Sequence, residues 1–215
     1  MNHELQTYSL HIPNTSCLKG ELYALLSSQE QDRAQRLCIP EKKEQFIITR
    51  GVLRLLLSQQ LNISAHDIAI QRRHSGKPFV QSSPKLHFNI SHSFEYAVFA
   101  LSDHNVGIDI EYCDPTFDVQ ASLSFLHPKE KSYLRQKDYD QALFFELWTH
   151  KEAWGKLHGD LTHEDWSNWT VPTDHPRISL EIHRDYKATC FQRHIHKHHH
   201  HCLTTYSLKD LLKKQ

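Results

Sequence analysis

The sequence predicts an α+β protein, on three observations: a long amphipathic helix early in the chain, three consecutive strands near its middle, and a second long helix after them. Residues 43 to 60 place Phe46, Arg50, Leu53 and Leu57 at i, i+4, i+7 and i+11, one face of a helix. Arg50 thus stands in an apolar stripe, and two readings of it remain open. It is either an arginine snorkelling past a core edge or one pointing into a ligand cleft. A turn-rich stretch, SGKPFVQSSP, follows at residues 75 to 84. After it HFNIS, YAVFAL and VGIDIE read as strands, joined by HSFE and SDHN. In the last of them Val106, Ile108 and Ile110 alternate with Asp109 and Glu111, which predicts an apolar face and an acidic, exposed one.

Residues 127 to 136 predict a short helix, and Tyr139 to about Leu157 a longer one. On the longer helix Phe144, Trp148, Glu152 and Lys156 form a single i, i+4 row. Two aromatics give way along it to a carboxylate and an amine, which predicts a row that leaves the core and enters a site. Trp169–Val171 and Ile178–Ile182 look strand-like, and HIHKHHHHC at 194 to 202 reads as a solvated loop of biased composition. Its spacing fits no closed zinc site, which wants four ligands in paired clusters. A loose boundary falls between Ser102 and Asn105.

Composition narrows the function classes. Lys plus Arg equals Asp plus Glu, 25 against 25, so no global field points to nucleic acid or an anionic membrane. Hydrophobic residues, 39% of the chain, suffice for a sizeable core. The N-terminal residues lack the basic and apolar runs of a secretory signal, and the longest apolar stretch falls far short of the ~20 residues that span a bilayer. Five scattered cysteines without a CxxC pair are ordinary thiol usage in a reducing compartment, so a cytoplasmic protein is expected. GxGxxG, GxxxxGK[ST] and GxSxG are all absent, which leaves dinucleotide, P-loop and α/β-hydrolase chemistry without support.

Asp109 and Glu111, two apart on a strand, point the same way, with bases about 7 Å apart. Such a pair is either a solvated acidic face or the core of a magnesium site, which wants a few carboxylates together with waters and substrate phosphates. Glu152 would add a third carboxylate and Lys156 a cation for phosphate oxygens. Equally, Glu and Lys at i, i+4 form an ordinary helix ion pair worth about 0.3–0.5 kcal/mol. His92, at a strand end between Ser91 and Ser93, is either structural or, with Lys77, Arg72 and Arg73, part of a cationic pocket for a phosphate.

VGIDIE followed by LWTHKEAWGK, with Asp109 and Trp148 39 residues apart, closely resembles the paired signature of the Sfp-type 4′-phosphopantetheinyl transferases. GKPFV, FNISHS and FLHPKE resemble further motifs of that family, in the same order. The resemblance runs from about residue 28 to residue 160, roughly 60% of the chain. It implies two similar α/β halves packed as a pseudo-dimer in one chain, each a small antiparallel sheet with helices. Residues 1–103 would carry the pocket for the adenosine and 3′-phosphate of coenzyme A, residues 104–215 the metal and catalytic groups. It implies Mg²⁺ on Asp109, Glu111 and Glu152, phosphate contacts from Lys151 and Lys156, and a 3′-phosphate and adenosine pocket made by Arg72, Lys77, Ser91 and His92, with Arg50 added. Glu152, directly or through a water, would take the proton of the serine on an apo acyl or peptidyl carrier protein. A monomer is implied at this length. The segment between Pro115 and Leu134, with Phe117, Leu123, Phe125 and Leu126, would receive the carrier.

Departures from the pattern are Gln31 and Ala34, where lysines are common in the family, and Gly155 inside the second long helix, at about 1 kcal/mol relative to alanine. Two other functions fit some of the same residues: another Mg²⁺-dependent transferase acting on nucleotides, or a catalytically silent module that holds coenzyme A or a carrier.

Overall fold

The structure, a computed structural model, describes residues 5–159, 163–192 and 199–215. Its first sheet has the order β4-β5-β1-β9, built from β1 (Gln6–His11), β4 (His87–Ser93), β5 (Tyr96–Ser102) and β9 (His199–Leu203). β5 runs antiparallel to both β1 and β4, whereas β9 joins β1 in parallel. A second sheet, β6-β8-β7, is antiparallel throughout and comprises β6 (Val106–Tyr112), β7 (Arg177–Ser179) and β8 (Tyr186–Gln192). A separate small hairpin comprises β2 (Ile70–Arg72) and β3 (Pro78–Val80), with Ile70 and Val80 packed in the first core. The fold is therefore α+β, as expected, with two main sheets and the small β2–β3 hairpin.

The first core is built around α3 (Pro40–Leu61), which starts on a proline and ends at Asn62 in the left-handed region. Ile47 to Ser58 are buried with no exposed stripe between them, apart from Arg50, which is half-buried. Exposed positions are thus confined to the two ends of α3, because α1 (Lys19–Ala24), α2 (Ser28–Arg36) and neighbouring segments pack around its middle. Arg54 of α3 is buried and donates to Glu30 and to the carbonyls of Ala65 and Ile68, which ties α2 and the following turn to α3. The last helix, α6 (Thr205–Leu212), returns Leu208 to this first core, beside Leu203 of β9.

The strands read from the sequence form as expected at β4, β5 and β6, and the helices at α4 (Pro128–Gln136) and α5 (Gln141–His158). Two expectations near the end of the chain are corrected. Trp169–Val171 is irregular, since the carbonyl of Trp169 turns inward to accept from Lys151 rather than joining a ladder. Of the histidine run, 194–198 lie outside the described residues, but 199–202 are strand rather than loop, paired through the backbone with β1. That pairing needs no particular side chain, so composition does not reveal it.

β6 leaves the first sheet, although it follows β5 directly. Its contact with β4 runs through side chains: Asn89 accepts from the amide of Ile108 at 3.0 Å, and Ser93 from the amide of Tyr112 at 3.0 Å. Asn89, Ser91 and Ser93 alternate along β4 and so share one face, which is presented to the second half of the chain. On its Gly107 face β6 carries α5, with Ala153 and Leu157 packed over Gly107. Asp109 and Glu111 extend the Gly107 face, and the junction of the two halves therefore forms around them.

Candidate active site

Asp109 is buried, 1% exposed, rather than on an open strand face. Sequence alternation correctly separates the acidic face from the apolar one, but α5 and β4 cover the acidic face, while the apolar one packs against Val98 and Ala100 of β5. Lys156 donates to Asp109 Oδ1 at 2.6 Å and to Ser91 Oγ at 2.9 Å, while Ser91 donates to the same Oδ1 at 2.7 Å. Asp109 Oδ2 is buried without a hydrogen-bond partner among the described residues. Glu111 accepts from Ser93 at 2.9 Å and from the indole N–H of Trp148 at 3.2 Å. Glu152 lies 3.9 Å from Lys156, too far for a tight ion pair. The aromatic-to-charged row of α5 does run from the core into this cleft: Phe144 is buried, and Glu152 and Lys156 line the opening.

The electrostatics follow from three carboxylates and one ammonium. Burial raises the proton affinity of Glu111 to a pKa of about 7, and the charge of Asp109 adds to it. Burial likewise raises Glu152 to about 7, against the pull of Lys156. Asp109 is raised by burial too, against Lys156 and Ser91. Lys156 loses hydration on burial, but Asp109 and Glu152 outweigh that and keep its ammonium charged. With all three acids ionised, two negative charges stay uncompensated, and a divalent cation would balance them. The donor set, all carboxylate oxygens with one orphaned at Asp109, suits Mg²⁺. As the side chains stand, no three His, Cys, Asp or Glu among the described residues converge on one point. Lys156 and Ser91 occupy Oδ1 of Asp109, and Ser93 and Trp148 hold Glu111, so a bound cation would compete with these donors for the carboxylate oxygens.

This acidic cleft, about 360 Å³, shares Arg33, Phe46 and Arg50 with a basic cleft of about 660 Å³. Arg36 and Arg72 line the basic side, and Arg72 also donates to the carbonyl of Gly76 at 2.7 Å. Arg50 and Arg33 lie over the Phe46 ring at 5.8 and 5.1 Å. Burial lowers the proton affinity of Arg50, and Arg72, Arg33 and Arg54 lower it further against the opposing Glu30. An anion in this cleft would relieve that repulsion. Arg50 lines both clefts. His92 lines the acidic cleft, its imidazole held below the ordinary range by burial and then by the charge of Lys156.

Two expected phosphate ligands are engaged elsewhere. The Nζ of Lys77 donates to the carbonyls of Val106 and Leu157, both at 3.0 Å. Lys151 is fully buried, pairs with Glu130 at 3.0 Å and donates to the carbonyls of Trp166 and Trp169. Sequence reasoning missed Arg33 and Arg36. The signal was there in two arginines spaced i, i+3 at the end of α2, beside the Gln31 and Ala34 that read as departures.

Two family models match consecutive parts of the chain. One, described as 4′-phosphopantetheinyl transferase, N-terminal, covers residues 14–104, and the 4′-phosphopantetheinyl transferase superfamily covers 105–206. The chain is 33% identical over 169 residues to the 4′-phosphopantetheinyl transferase HetI of a Nostoc species, a match spanning 74% of this chain and 70% of that one. This chain belongs to the 4′-phosphopantetheinyl transferase superfamily. Within the superfamily it is of the Sfp type. It is 29% identical over 174 residues to the 4′-phosphopantetheinyl transferase Sfp of Bacillus subtilis (74% of this chain, 73% of the relative), and 42% identical over 136 residues to the transferase gsp of Aneurinibacillus migulanus (62% and 56%). Phosphopantetheinyl transfer is thus its enzyme class.

Proposed function

We propose that this transferase moves phosphopantetheine from coenzyme A to a serine of an apo acyl or peptidyl carrier protein, with Mg²⁺, and releases adenosine 3′,5′-bisphosphate. The observation that carries this reading is the joined cleft, with carboxylates and one lysine at one end and arginines at the other. Its chemistry matches a pyrophosphate linked to a second phosphate-bearing end. Arg33, Arg36, Arg50 and Arg72 take the 3′-phosphate and adenosine end, with His92 and Ser91 between the two regions. We assign that end to residues 1–103 and the catalytic end to residues 104–215.

Asp109, Glu111 and Glu152 would hold Mg²⁺, which when bound offsets charge on the pyrophosphate. Glu152, whose pKa lies about 7, accepts the serine proton. The serine oxygen bonds to the β-phosphorus, and the bond from that phosphorus to the bridging oxygen breaks. Lys156 balances the charge that grows on the departing bisphosphate. Little covalent assistance is needed beyond this alignment. The carrier meets the enzyme along the 115–134 segment, where Phe117 and Phe125 are exposed. Leu126 is fully buried and belongs to the core instead. The enzyme acts as a cytoplasmic monomer in this reading; the five unpaired cysteines suit a reducing compartment. Among the described residues no helix is long and apolar enough to cross a membrane.

Incubation with coenzyme A, Mg²⁺ and an apo carrier tests the proposal by mass spectrometry. Transfer adds about 340 Da to the carrier, the increment of the group moved. No gain in mass despite measurable binding of coenzyme A would leave a silent binding module.

A further inference from the structure

Lys77 lies in the turn between β2 and β3, in the first part of the chain, yet both of its hydrogen bonds reach the second part. One acceptor, the carbonyl of Val106, opens β6 three residues before Asp109. The other, the carbonyl of Leu157, directly follows Lys156 in the last turn of α5. Carbonyls in a last turn lack intrahelical partners, and an ammonium is favoured there both as donor and against the negative end of the helix dipole. Gly159 then turns the chain at φ 85°, where a side chain would meet Ser75 Oγ at 3.1 Å and Lys77 Cβ at 3.5 Å. The hairpin turn is therefore packed around the end of α5. Beneath the same turn of helix, Gly107 lets the backbone of Leu157 rest on β6.

We infer that Lys77 is a positioning residue, whose ammonium sets the register of α5 on β6 and so holds Glu152 and Lys156 against Asp109. Two of its three N–H groups are engaged with backbone carbonyls, unlike a lysine that presents its charge to a phosphate. The clamp itself stands on this geometry. Its effect on rate rests on the transfer chemistry proposed above.

The test compares Lys77→Met with Lys77→Arg, by steady-state kinetics with coenzyme A and with its dephospho form, and by amide hydrogen exchange across residues 153–159. Lys77→Met should lower kcat roughly 10- to 100-fold through misalignment, with KM for coenzyme A within about 2-fold of wild type. Exchange should quicken at residues 155–159. Lys77→Arg, which can donate to the same carbonyls, should recover most of kcat. A raised KM for coenzyme A but not for the dephospho form, with kcat intact, would give the lysine to the phosphate and overturn the inference. If Lys77→Met does not fold, Lys77→Gln decides, and an unchanged kcat there also overturns it. If wild type transfers nothing, the proposed function fails, while unchanged exchange at 155–159 still separately refutes the clamp.

Discussion

Gly107 of β6 lies directly beneath Ala153 of α5, so close that a β-carbon at 107 would overlap the carbonyl oxygen of Ala153 and the amide nitrogen of Leu157. Backbone rests on backbone there, and neither partner can rotate away. This contact brings the helix down far enough for Lys156 to reach Asp109 at 2.6 Å. Gly107→Ala should therefore cost more than about 2 kcal/mol of stability, at the upper end of overpacking effects. Urea denaturation measures it, and a loss below about 0.5 kcal/mol, the range of neutral surface changes, would mean the helix shifts freely.

Asp109→Ala should abolish transfer and also destabilise the fold, because it leaves the Lys156 ammonium without its closest partner. Removing one member of a buried pair costs about 3–5 kcal/mol, and the value here should be smaller, since the Lys156 side chain is 28% exposed to the cleft. The double variant with Lys156→Met should recover part of that loss without recovering activity. Additive losses from the two changes would show that the pair is not coupled in the folded state.

Arg33→Ala should weaken coenzyme A about 10-fold and leave dephospho-coenzyme A nearly unchanged, since a charge-assisted phosphate contact is worth about 1.5–3 kcal/mol. Isothermal titration with both ligands measures the difference. Equal weakening of the two would place Arg33 away from the 3′-phosphate and leave it a role in stacking on Phe46.

His150, on the side of α5 away from the cleft, is buried with no hydrogen-bond partner for Nε2 among the described residues. Burial and the charge of Arg177 lower its pKa to about 4. The folded value lies below the unfolded one of about 6.5, so the unfolded chain takes the proton first as pH falls. Stability should be unaffected above pH 6.5, then decline at up to about 1.4 kcal/mol per unit toward pH 4, and level off below it. Subtracting the pH profile of a His150→Leu variant isolates this component from the carboxylates. A flat difference between pH 7 and 4 would show that the imidazole titrates normally.

What the sequence by itself determined is the part of the site that depends on local repeats. A strand repeats every two residues and a helix about every 3.6. Those periods alone put Asp109 beside Glu111 and aligned Trp148, Glu152 and Lys156, before any partner was known. The helices α3, α4 and α5 and the β4–β6 strands were legible for the same reason, whereas the shorter α1, α2 and α6 were not. The tertiary structure alone decided which long side chains meet which groups. Lys77 and Lys151 carry the same charge as Lys156, yet packing sets distant carbonyls beside their amines, those of Val106 and Leu157 for one and of Trp166 and Trp169 for the other. It likewise turned Arg33 and Arg36 into the basic cleft and buried Asp109 between α5 and β4. The physical reason is that a flexible cation takes whatever acceptors the assembled backbone presents. That arrangement depends on contacts between residues far apart in the chain, which no local pattern encodes.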